Sequence, residues 1–277
     1  MLKKISGFFI AFLLIILLFS CSKYQRLLKS GDYELKYKVA IEYYNKKDYF
    51  RALQLLEELI ALYRGTAKGE DVYYYYAQSN YGTGDYTSAA YHFEIFVKTF
   101  PLSPRVEECA YLNAYCYYLD SPISSLDQEN TLQAMQQFQL FVNHYPQSPK
   151  VAECNKLMDE LRYKLETKEF DNAKLFYDKE DYKSAVTALN NVIRDFPGTN
   201  YKEECLFLVL KSSYLYARKS IEEKQLDRYK SVLENYNTYK EYYPEGKFIR
   251  EADDLRKSAE SALKILSLKN ETATTNK

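Results

Sequence analysis

The sequence predicts an all-α array of about five stacked helix pairs, placed behind an N-terminal export signal. Three observations carry that prediction. Glycine and proline are scarce, at 8 and 7 in 277 residues, which argues against a strand-rich domain with many tight turns. Tyrosine reaches 30 while tryptophan is absent, so much of the apolar bulk ends in a polar tip suited to half-buried helix positions. The third observation decides the matter: one pattern recurs along the chain in a fixed register.

The elements follow in chain order. Lys3 and Lys4 precede an unbroken apolar run from Phe8 to Phe19. A run of that length suits a signal-peptide core and falls short of the ~18 residues needed to span a bilayer. It ends at Leu18-Phe19-Ser20-Cys21, which resembles the lipobox read by lipoprotein signal peptidase. The resemblance implies cleavage before Cys21 and acylation of that residue, so 1–20 reads as a lipoprotein signal peptide and 21–31 as a lipidated tether. Several acyl chains give stable membrane anchoring. No acidic residue directly follows Cys21, and Ser22-Lys23-Tyr24-Gln25-Arg26 lacks an acidic export cluster. By analogy, both absences point to the periplasmic face of the outer membrane.

The repeat begins in the next segment. Asp48-Tyr49-Phe50-Arg51-Ala52, Asp85-Tyr86-Thr87-Ser88-Ala89 and Asp181-Tyr182-Lys183-Ser184-Ala185 share the pattern Asp-Tyr-x-x-Ala. Phe100-Pro101 and Phe196-Pro197 close the last two at the same distance, and Tyr63-Arg64 holds that place in the first. Tyr145-Pro146 and Tyr243-Pro244 imply two more copies, beginning near Thr131 and Tyr229. Seven residues after each start stand Leu56, Phe93, Phe138, Leu189 and Tyr236; ten after stand Leu59, Phe96, Phe141, Val192 and Tyr239. With the small residue at three (Ala52, Ala89, Ala134, Ala185, Val232), these positions share one face of a helix. The proline ends that helix.

Each copy also carries an upstream helix, marked by a small residue with tyrosine four later. The pairs are Ala40 and Tyr44, Ala77 and Tyr81, Ala114 and Tyr118, Ala173 and Tyr177, and Ser212 and Tyr216. Lys46-Lys47-Asp48 and Gly82-Thr83-Gly84-Asp85 fill the turns between helices. This spacing resembles the tetratricopeptide repeat, which implies a superhelical solenoid over 32–266 whose units bury their apolar faces only against neighbours. Copies three and five hold about eight extra residues between their helices; in copy three these are Leu119 to Glu129, read as an exposed loop. Residues 267–277 read as a disordered polar tail.

Chemistry is not in evidence. Cys109, Cys154 and Cys205 each fall eight residues after a repeat's proline, where Val72 and Ala252 stand in copies one and five. That periodicity marks a small buried position, and one repeat is too far for a disulfide to bridge. Cys116 is two helical turns from Cys109, also too far. His92 and His144 match no metal-ligand spacing. No nucleophile elbow, phosphate loop or zinc-protease motif occurs, so the expectation is a protein without enzymatic activity or cofactor. Lys+Arg and Asp+Glu are both 38, so no electrostatic case for nucleic acid arises.

Further residues narrow the reading. Leu126-Asp127-Gln128-Glu129-Asn130-Thr131, running into Ala134 and Phe138-Gln139-Leu140-Phe141, and then Asn143-His144-Tyr145-Pro146-Gln147-Ser148, resemble the third repeat of the BamD family of β-barrel assembly lipoproteins. Tyr24-Gln25-Arg26-Leu27-Leu28-Lys29-Ser30 is similar to the stretch after the lipid in its Bacteroidetes-type members. The resemblance implies a subunit of the outer-membrane β-barrel assembly (BAM) complex that helps fold and insert barrel proteins. Its implied partners are the periplasmic domains of BamA, which the C-terminal repeats would dock on, other BAM subunits, and unfolded barrel proteins met by the N-terminal repeats.

A peptide-binding face follows from the first helices. Tyr37, Tyr44, Tyr74 and Tyr81 form rows that could receive an extended peptide, with Asn45 and Gln78 offering hydrogen bonds to its backbone. Tyr111, Tyr118, Phe170 and Tyr177 continue the rows. A second reading stays open: the same stripe suits packing between repeats. Two alternative functions also remain. One is a periplasmic tetratricopeptide adaptor coordinating cell-envelope or cell-wall synthesis, against which Cys21 argues. The other is a glycan-binding lipoprotein, against which the absence of tryptophan argues.

Overall fold

A computed structural model describes the backbone of residues 23–275 and the side chains of 23–269. Residues 1–20, expected to be a signal peptide, and Cys21 lie outside the described residues. Among the described residues the chain is helical and contains no strand. After a short helical stretch at 23–28 come α1 (Tyr33–Asn45), α2 (Tyr49–Leu62), α3 (Ala67–Thr83), α4 (Tyr86–Thr99), α5 (Val106–Asp120) and α6 (Glu129–His144). Then follow α7 (Val151–Asp178), α8 (Tyr182–Asp195), α9 (Lys202–Arg218), α10 (Glu222–Tyr242) and α11 (Ile249–Thr275). The chain divides into two compact units, 1–122 with 127–158 and 123–126 with 159–277. In the first, each helix from α1 to α6 packs on the next; in the second, α8 to α11 do the same. The fold is an array of tetratricopeptide-type helix pairs.

The repeat register appears as burial. Ala52, Ala89, Ala134, Ala185 and Val232 are wholly buried, as are Leu56, Phe93, Phe138 and Leu189 at the seventh position. Separate core clusters centre on successive helix pairs. The periodic cysteines are the free, buried small residues the spacing implies, alongside Val72 and Ala252.

The Asp-Tyr motif acquires a mechanism. Asp48, Asp85 and Asp181 are the N-caps of α2, α4 and α8, each carboxylate accepting from the backbone N–H three residues on. The preceding residue takes the left-handed conformation: Lys47 at φ 60°, Gly84 at φ 82° and Glu180 at φ 61°. The next amide then reaches back to close the previous helix, Asp48 N–H to Tyr43 O at 2.9 Å and Asp181 N–H to Phe176 O at 2.9 Å. Tyr49 packs so tightly on α3 that a Cβ at Gly82 would lie 2.4 Å from its ring.

The aromatic-proline pairs make the opposite turn. Phe100, Tyr145, Phe196 and Tyr243 are C-caps with φ between −137° and −124° and ψ between 59° and 69°. Proline drives the residue before it out of the helical region, which explains the recurrence. Ser103, Ser148 and Thr199 then donate their N–H to the cap carbonyl at 3.0 Å.

Three features differ from the sequence reading. Copy five carries its extra residues inside its second helix rather than between the helices: α10 begins at Glu222, so they form helical turns, with Glu222 and Glu223 suited to a helix N-terminus. The first helix of copy four belongs to the 28-residue α7, which runs unbroken from Val151. The polar tail after 266 continues α11 to Thr275. No glycine or proline follows Gly246 to stop it, and Lys269 pairs with Glu222 of α10 at 3.1 Å.

Candidate peptide-binding face

The predicted tyrosines lie on first helices of the N-terminal unit and are half-buried. They fall into two sets with different surroundings. Tyr37 and Tyr74 stand three residues before their helix's small residue, and each ring is covered by a cation from the start of the next first helix. Lys68 Nζ lies 4.7 Å from the Tyr37 centroid, Arg105 Cζ 4.5 Å from that of Tyr74, and Lys150 Nζ 4.6 Å from that of Tyr111. A carboxylate stands three residues beyond each cation: Asp71, Glu108 and Glu153. Tyr74 donates its hydroxyl proton to Glu108 at 3.1 Å and Tyr111 to Glu153 at 2.9 Å. Burial, and then the nearby carboxylate, push the Tyr37 and Tyr74 hydroxyls above their ordinary value. The arrangement is a repeated clamp between successive repeats.

Tyr44 and Tyr81 sit one turn before the left-handed bend and meet the tyrosine of their own Asp-Tyr motif edge-on or tilted. The centroid distances are 5.6 Å to Tyr49 and 5.6 Å to Tyr86. Tyr44 also meets Tyr75 at 5.0 Å, and Tyr75 meets Tyr74 at 5.4 Å, so Tyr44 and Tyr74 belong to one aromatic cluster. Gln78 joins it, donating to the Tyr74 hydroxyl at 3.0 Å. Burial raises the hydroxyl pKa of both Tyr44 and Tyr81.

Asn45 differs from the rest. It is exposed and lies with Tyr37, Leu35, Ile41 and Lys68 along a cavity of about 760 Å³ on the open side of α1. Of the six candidates, Tyr37 and Asn45 border that cavity, Tyr44, Tyr74 and Gln78 form the cluster, and Tyr81 stands apart at the α3–α4 turn.

Sequence reasoning missed a second concavity. Between α2 and α4, Tyr73, Tyr76, Tyr91 and His92 line a cavity of about 580 Å³. Tyr73 and His92 Nδ1 share a hydrogen bond at 2.9 Å, and the Tyr76 ring meets the imidazole at 4.8 Å. Burial lowers the His92 pKa from its ordinary 6.5. The only signal in the sequence was a histidine directly before Phe93, a core position of the repeat register. Among the described residues, no group of His, Cys, Asp and Glu is arranged to hold a metal, and no helix is long and apolar enough to cross a membrane.

The model of the YfiO family, described as outer membrane lipoprotein, matches residues 31–225, some seven-tenths of the chain. The chain belongs to this family. No curated protein matches the sequence. Among solved structures, the chain is similar to the TPR2AB domain of yeast Sti1 in its pHSP90 complex. That likeness has 12% identity and a TM-score of 0.37, covering 82% of this chain and 98% of the other. It is also similar to TPR-like repeats of a Podosopora anserina protein described as a kinesin light chain, at 13% identity and TM-score 0.32, covering 86% and 96%. Both superpositions are loose, and the fold assignment rests on the helix pairs themselves.

Proposed function

We propose that this YfiO-family protein is the lipid-anchored scaffold subunit of an outer-membrane β-barrel assembly complex, of the BamD kind and Bacteroidetes type. The family match over residues 31–225 carries the reading. A helix-pair array supplies faces for binding other proteins, and the lipobox-like Leu18-Phe19-Ser20-Cys21 supports attachment by acylated Cys21 to the periplasmic face of the outer membrane. On this reading the C-terminal repeats dock on the periplasmic domains of BamA and the N-terminal repeats meet unfolded barrel proteins.

For that second contact the geometry favours Tyr37 and Asn45, which border an open cavity. Tyr44, Tyr74, Gln78 and Tyr81 act from beneath, through packing. A photocrosslinker at Asn45 captures unfolded barrel protein if the reading holds, while one at exposed Leu140 on α6 does not. Equal capture at both positions removes α1 as the recognition element. The scaffold role itself is tested by purifying tagged protein from its own membranes in mild detergent. Recovery of BamA, lost on deleting residues after about 200, supports it; recovery of cell-wall synthases in its place keeps the fold and overturns the function.

A further inference from the structure

The stretch after Cys21 is not a free linker. Residues 23–28 are helical and are held on the first helix pair at both ends. At one end Tyr24 donates its hydroxyl proton to Arg51 O at 3.0 Å and Gln54 Oε1 at 2.9 Å, and its ring meets Tyr43 at 5.6 Å. At the other end the buried ammonium of Lys36 donates to Leu28 O at 2.9 Å and pairs with Glu58 at 2.5 Å. Tyr43 and Arg51 flank the α1–α2 turn, whereas Lys36 and Glu58 lie at the opposite end of the pair. The stretch therefore runs antiparallel to α1, with its start at the α1–α2 turn. Cys21 lies three positions before Tyr24, a reach of at most about 10 Å.

What stands at that turn is chemically distinct. Lys23, Lys46 and Lys47 are all exposed, as is Glu42 one turn before Lys46, and Phe50 presents 67% of its surface to solvent. Asp48 is already paired with Arg51 at 3.0 Å, so it does not neutralise the lysines. In a chain of zero net charge, this turn thus holds more cations than carboxylates and an exposed aromatic ring at the start of α2, close in sequence to where the anchor would leave. Cations within a Debye length of an anionic surface are attracted to it, and an aromatic ring beside them suits the headgroup region.

We infer that the α1–α2 turn, through Lys46, Lys47 and Phe50, rests on the anionic phospholipid surface that holds the acyl chains of Cys21. The first helix pair is then seated on the membrane at a set orientation and does not swing on a flexible tether. This rests on the anchor reading above.

The chain has no tryptophan, so Phe50→Trp installs a single fluorescent reporter. A second reporter, Leu102→Trp, stands in the α4–α5 turn at the opposite edge of the helix pairs, at a residue 97% exposed. The full acylated chain is reconstituted in vesicles of phosphatidylethanolamine and phosphatidylglycerol, with and without brominated acyl chains. The expected result is blue-shifted emission and bromine quenching at position 50, several-fold stronger than at 102. Adding Lys46→Glu and Lys47→Glu should weaken the position-50 quenching, as should replacing phosphatidylglycerol by phosphatidylcholine. Water-exposed emission from position 50 in protein that carries its acyl chains and floats with vesicles overturns the seating and leaves the anchor intact. An intact mass without acyl chains overturns the anchor reading and the seating with it.

Discussion

Single residues show how tightly the repeat constrains chemistry. Ala40, Ala77, Ala114 and Ala173 occupy the close-approach position of their first helices, and Ser212 takes it in the fifth copy, wholly buried. Its hydroxyl finds no partner among the described residues. A buried hydroxyl without a hydrogen bond costs about 1–3 kcal/mol. Ser212→Ala is therefore expected to stabilise the protein by roughly 1 kcal/mol, raising the urea midpoint at unchanged slope. His92 makes the protein sensitive to acid. Burial holds its folded pKa below 6.5, so the unfolded chain takes up the proton first. Its contribution is complete above about pH 6.5 and is lost as the pH falls below that value. Urea midpoints at pH 7.5 and 5.5 should differ less in His92→Phe than in the parent.

Helices and their turns obey local rules with small, measurable penalties. The bend before each Asp N-cap needs a left-handed residue; copy two supplies Gly84, whereas Lys47 and Glu180 enter it with a side chain. That conformation costs a residue bearing Cβ roughly 1 kcal/mol. Lys47→Gly should recover most of it, less the extra entropy of glycine in the unfolded chain, giving a net gain of about 0.5 kcal/mol by chemical denaturation. Glu180 is a poorer test because it pairs with Lys219. The extended copies show where element boundaries escape a pattern. Nothing in the register says whether extra residues loop out, as 121–128 do, or add helical turns, as Glu222–Arg228 do. The difference lies in composition: Pro122 with three serines in one, and acidic helix formers in the other.

At the scale of the molecule, each helix packs on the next within its compact unit, so stability accumulates pair by pair there. The cysteines report on it. Cys109, Cys116, Cys154 and Cys205 are free and buried, and burial pushes the Cys116 and Cys205 thiols up to about 12 and Cys154 up to about 11. In the native protein at pH 8 a thiol reagent should modify none of the four at an appreciable rate, and all four after denaturation. Rapid labelling of Cys154 alone would reveal local opening of α7. The helical pairing, the buried face and the breaks at aromatic-proline were determined by sequence, because a 3.6-residue period and the proline ring act over one or two turns of chain. Which tyrosines remain available for a partner was decided only by the tertiary structure. Tyr74 meets its carboxylate 34 residues away and Tyr111 meets its own 42 residues away, separations that no local pattern encodes. A tyrosine row looks the same in sequence whether its hydroxyls face water or the next repeat's glutamate, since that partner is supplied by packing.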